Sequence, residues 1–61
     1  MPSYRCLFLD SADRVAEARL INCDTEGEVP AHADKLLGDS GYPGIEVWER
    51  YRKVYRSRKS R

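Results

Sequence analysis

The side chains that carry reactive chemistry are few: two thiols, Cys6 and Cys23, one imidazole, His32, and ten carboxylates. A thiol becomes a nucleophile when a base, a cation or a helix N-terminus lowers its pKa. Cys6 sits inside the run Tyr4 to Leu9 with no nearby His or helix N-terminus and reads as a packing residue. Cys23 lies just ahead of Thr25, where the spacing predicts a helix cap; it is the better placed thiol, and it too reads as structural. His32 has no Cys, Ser or acid at a catalytic spacing and reads as a solvated helix residue. Two cysteines and one histidine, widely spaced, fall short of a four-ligand zinc site, so neither metal nor cofactor is expected. The carboxylate pairs Asp10 with Asp13 and Glu26 with Glu28 fall in turn-like segments, where they serve caps rather than proton transfer. The chain is expected not to be an enzyme.

A second chemistry lies in the distribution of charge. The formal net charge of +1 hides a split: residues 1–49 hold four cations against ten acids, and residues 50–61 hold seven cations and no acid. In that last segment Trp48, Tyr51 and Tyr55 interleave with Arg50, Arg52, Lys53, Arg56, Arg58, Lys59 and Arg61. Guanidinium and ammonium groups pair with phosphates, and aromatic faces stack on unpaired bases, so Arg50, Arg52, Lys53, Tyr55, Arg56, Arg58, Lys59 and Arg61 form the candidate surface for single-stranded nucleic acid or another partner. The acidic body works against this, because it repels the same phosphates. The same charges also allow the basic end to fold back on its own acidic surface or on that of a neighbouring copy.

The elements that must position these groups follow from periodicity. Tyr4 to Leu9 reads as a strand, with Tyr4, Cys6 and Phe8 on one face, and Asp10 to Asp13 as a tight connection. Arg14 to Asn22 fits a second strand, with Val15, Glu17, Arg19 and Ile21 on one face; Val15, Ala16, Arg19 and Leu20 also fit a helical stripe. In the hairpin reading Cys6 pairs near Glu17 or Ala18, which leaves Cys23 roughly 17 Å further along and out of disulfide reach. Thr25 and Glu28 have capping-box spacing, while Pro30 favours a helix that begins at the proline. Val29, Ala33, Leu36 and Leu37 form the apolar stripe of that helix, and Gly38 is its expected left-handed stop. After the loop Asp39 to Gly44, residues 45–56 fit either a second hairpin turning at Glu49 to Tyr51, with Val54 inward, or one helix.

In the hairpin version the order Tyr4-Arg5-Cys6-Leu7-Phe8-Leu9-Asp10, Asn22-Cys23-Asp24, a short amphipathic helix, then Glu46-Val47-Trp48 and a basic segment resembles a family of short, uncharacterised bacterial proteins with a hairpin, a helix and a second hairpin. The resemblance covers roughly residues 3–56 and departs at Glu26 to Pro30, where the family carries an acidic, alanine-rich helix start. It implies a small α+β fold of ββαββ order, an antiparallel sheet with one helix packed on one face, and implies no activity. Residues 1–56 are the expected domain and residues 57–61 a basic disordered tail.

At 61 residues, 41% of them hydrophobic, the chain suffices for one thin core and no enclosed active site. No apolar run approaches the ~18 residues of a membrane span, and a secretory core is absent, so a cytosolic setting with free thiols is expected. A four-stranded sheet with one helix leaves a sheet face or edge uncovered, and the leading expectation is an interaction or regulatory module that meets a protein partner or a second copy of itself. Nucleic-acid binding through the basic end is the alternative.

Overall fold

The structure, a computed structural model, describes residues 3–59. Four strands and one helix follow in the order β1 (Ser3–Leu9), β2 (Val15–Asn22), α1 (Val29–Asp39), β3 (Gly44–Glu49) and β4 (Arg52–Arg58). The strands form one antiparallel sheet in the spatial order β2-β1-β3-β4. The α+β fold with ββαββ order expected from the sequence is therefore the fold observed, and both helical alternatives are set aside.

Alternation along β1 sends Tyr4, Cys6 and Phe8 into the core, where they meet Ile45 and Val47 of β3. The helix closes this face with Val29, Ala33 and Leu37, the stripe that the spacing predicts, and Leu36 packs at its margin. α1 lies over the β3–β4 half of the sheet. On β2 only Ile21 reaches the core; Glu17 is half-buried and Arg19 exposed on the same face. Among the described residues the opposite face of the sheet carries no helix.

The first hairpin differs from the expected register by one residue if counted from Ala18 and by two if counted from Glu17. Cys6 pairs with Arg19 rather than with Glu17 or Ala18. One residue of the shift comes from Arg14, which belongs to the connection, and one from Ala16, left unpaired in a bulge between the pairs Phe8–Glu17 and Leu9–Val15. The connection is built on Asp10. Its carboxylate accepts the amides of Ala12 and Arg14 at 2.8 and 3.0 Å, and its backbone amide donates to the Arg14 carbonyl at 2.9 Å. Those amide bonds hold the Asp10 carboxyl below the usual carboxylate range. Asp13 takes the left-handed position at φ 63°, which a short polar side chain tolerates.

Around the helix two expectations are corrected. The Thr25 side chain makes no cap, because Glu26–Glu28 is a single 3₁₀ turn closed by the Glu28 amide on the Thr25 carbonyl at 3.2 Å; the α-helix proper starts at Val29. Pro30 then falls in the first turn, where a missing donor costs nothing. Gly38 is not a left-handed stop. It lies within α1 at ordinary φ, and the helix ends at Ser40, whose amide and hydroxyl both donate to the Leu37 carbonyl, at 3.2 and 2.9 Å.

The second hairpin turns through Arg50 and Tyr51 alone, with Glu49 opposite Arg52. Arg50 sits at φ 56°, a left-handed position filled without Gly, Asn or Asp. A bulge at Val54, between the pairs Trp48–Lys53 and Val47–Tyr55, brings both Val54 and Tyr55 against the core. β4 continues through Arg58, so the expected tail boundary at residue 57 falls inside the sheet; residues 60 and 61 lie outside the described residues.

Candidate functional site

The segment rich in cations does not present a free basic surface. Arg52 donates to Glu26 and to Glu49, each at 2.6 Å, and these two bonds keep its guanidinium charged while lowering the pKa of Glu26. Lys53 and Arg56 flank Glu46 at 3.5 and 3.8 Å, and Arg58 pairs with Asp13. The Lys59 ammonium donates to the Ser40 carbonyl at 2.6 Å, and its amide to the Pro43 carbonyl at 2.9 Å. Tyr55 Oη donates to Asp34 of α1 at 2.8 Å, and that bond raises the phenol pKa. The charge split seen in the sequence is thus largely closed within the fold: acids from the first connection, the 3₁₀ turn and β3 meet the cations of β4. Arg61 lies outside the described residues.

Lys35 of α1 makes no ion pair among the described residues, and two further cations without one lie close together. Arg50 of the second turn and Arg5 of β1 have no ion-pair partner among the described residues, and they line a shallow surface groove with Tyr51, which is 96% exposed. Arg5 was not among the residues singled out from sequence, because it is separated from the basic segment by 45 positions. It reaches that end of the molecule only through the antiparallel pairing of Arg5 with Trp48. Trp48 is half-buried on the helix-free face, its indole N–H donating to Glu46 at 3.2 Å and its ring covered by the Lys53 ammonium 5.6 Å from the centroid.

The helix-free face and the β2 edge form the larger uncovered surface. Leu20 is 75% exposed and pairs across the sheet with Arg5; Ala18 pairs with half-buried Leu7. Arg5, Ala18, Arg19 and Leu20 line a second shallow groove with an apolar floor. β2 is an outer strand of the sheet, with one neighbour, β1. The other outer strand, β4, is guarded by Arg52, Lys53, Arg56 and Arg58, a row of charges that discourages edge pairing.

The fold also brings Cys23 to the helix: its Sγ lies 3.5 Å from His32 Nδ1. The nine-residue separation spans the 3₁₀ turn and the first helical turn, so no strand or helix periodicity announces it. The geometry is that of a thiol–imidazole contact, but the thiol is 2% exposed, and burial first, then Glu28 and Asp24, push its pKa up. Cys6 is fully buried and burial pushes its thiol up to about 11. Both cysteines are free, and both are protonated at neutral pH, the opposite of what a nucleophile needs. Among the described residues no group of three or more His, Cys, Asp and Glu side chains comes together in a metal-binding arrangement, and no helix is long and apolar enough to cross a membrane. No family model, curated protein or solved structure matches this chain.

Proposed function

We propose that this chain is a non-catalytic interaction module whose working surface is the helix-free sheet face together with the β2 edge. The observation that carries this reading is Leu20, an aliphatic side chain 75% exposed on a strand whose outer hydrogen-bonding edge has no neighbour in the fold. Exposed apolar area beside unpaired backbone groups is the combination that strand addition uses, with main-chain bonds giving affinity and alternate side chains giving selectivity. The protonated thiols and the short-range pairing of most β4 cations support a binding role over chemistry at either place. The order of elements supports membership of the hairpin–helix–hairpin family as part of the same proposal.

The test is capture on immobilised protein. The wild-type chain is expected to retain a partner, whether a further copy or another protein, and Leu20→Glu to release it, because a carboxylate there removes the apolar area the contact buries and sets a strongly hydrated group in its place. A wild-type chain that retains nothing, or a partner held equally well by Leu20→Glu, overturns the assignment.

A further inference from the structure

We propose that the occupant of the β2 edge is a second copy of this chain, paired antiparallel through β2 about a two-fold axis that passes between Ala18 and its own copy. This rests on the reading above that the β2 side of the sheet is a docking surface, and it names the partner. In a symmetric antiparallel pair, opposed residues share a sheet face, so the axis passes between one residue and its own copy and both helices lie on the same side. Among the three registers centred on the middle of β2, the charges decide. Centring on residue 17 sets Glu17 against its own copy, and centring on residue 19 sets Arg19 against its own copy; both place like charges directly opposite. Centring on Ala18 sets Glu17 opposite Arg19 of the second copy, twice.

The side chains are already arranged for that exchange. Glu17 and Arg19 lie on one face of β2, joined within the strand at 3.0 Å through Arg19 Nε, and Tyr42 Oη donates to the other Glu17 oxygen at 3.3 Å. Only the Nε donor of Arg19 is engaged, which leaves the outer nitrogens of its guanidinium for the glutamate of the second copy. Two intrastrand pairs then close into one four-charge ring. On the opposite face the same register sets Ala18 against its own copy and Leu20 against Ala16, which covers the most exposed aliphatic side chain in the described chain. The bulge at Ala16 limits the regular ladder to residues 17–19 of each copy, with Leu20 meeting the bulge at its end. β4 lacks this self-complementarity, because its exposed positions carry cations alone.

Sedimentation velocity across a concentration series, read with charge exchange at the two positions, tests the register. The 7.0 kDa chain is expected to double its mass as concentration rises. Arg19→Glu and Glu17→Arg each place two like-charged pairs in the interface, and each is expected to weaken the dimer at least tenfold. An equimolar mixture of the two variants restores opposite charges at every pair and is expected to recover the dimer, which also shows that both variants fold. A wild-type chain that stays monomeric at every concentration overturns the proposal, as does a dimer indifferent to both substitutions. If that monomer still captures another protein and loses it on Leu20→Glu, the docking surface stands and the second copy as its occupant falls.

Discussion

At the residue scale the two cysteines are core groups, and their chemistry is set by burial. Cys6 is fully enclosed between β1, β3 and the helix, and its thiol is held neutral up to about pH 11. In the unfolded chain the same thiol ionises near its ordinary value of 9.0. The folded form therefore binds its proton more tightly, so the stability this supplies is fully present below pH ~9 and is lost as pH rises towards 11, to the extent of about 3 kcal/mol. Chemical unfolding followed from neutral to alkaline pH is expected to show this decline, and Cys6→Ala, though less stable throughout, to show a shallower one. Equal alkaline slopes for the two proteins would mean that Cys6 is not the group responsible. The Cys23–His32 contact follows the same logic: proximity is present, but without an ionised thiol it packs and orients rather than reacts.

At the scale of elements, the two hairpins are governed by their connections more than by their strands. In the first, the connection is built from residues suited to it, Asp10 accepting two amides and Asp13 at positive φ. In the second, Arg50 occupies a left-handed position that costs an ordinary L-residue on the order of 1–2 kcal/mol, part of which a glycine would return as chain entropy. Arg50→Gly is expected to stabilise the domain by about 0.5–1 kcal/mol, raising Tm by about 2–8 °C at this size. A thermal melt that shows no gain would indicate that the arginine side chain contributes more at that turn than its backbone costs. The strain coincides with the surface where Arg50, Tyr51 and Arg5 converge.

For the whole molecule, the fold redistributes the charge that the sequence segregates. Seven cations free to meet phosphates would give single-stranded binding a log–log salt slope of about −5. With Arg52, Lys53, Arg56 and Arg58 matched by Glu26, Glu49, Glu46 and Asp13, and Lys59 held by a carbonyl, Arg5 and Arg50 are the described cations best placed for phosphate near the exposed Tyr51. Fluorescence anisotropy with single-stranded RNA is accordingly expected to show weak binding with a slope of about −1.4, two cations' worth. A slope near −5 would mean that the β4 pairs open and that the basic segment acts as a nucleic-acid surface after all. The pairs are solvent-exposed and individually weak, so their influence lies in masking charge more than in adding stability.

The first strand and the helix stripe were legible from residue order, because each depends on neighbours two to eight positions apart, and the charge split from a simple count along the chain; residues 45–56 fitted hairpin and helix alike. Alternation in Tyr4 to Phe8 and the four-residue beat of Val29 and Ala33 are local signals that survive folding unchanged. What lay beyond them was decided by pairing at long range. The bulges at Ala16 and Val54 set which β2 and β4 side chains face which side, and no local pattern marks an unpaired residue. Likewise the closure of β4 cations onto distant acids, the approach of Cys23 to His32, and the exposure of Leu20 exist only once β1 stands between β2 and β3. The sequence by itself determined the first strand, the apolar stripe of the helix and that the charges lie at opposite ends of the chain. Only the tertiary structure, by bringing those ends together across one sheet, decided that the charges largely cancel and that the uncovered surface lies at the other edge.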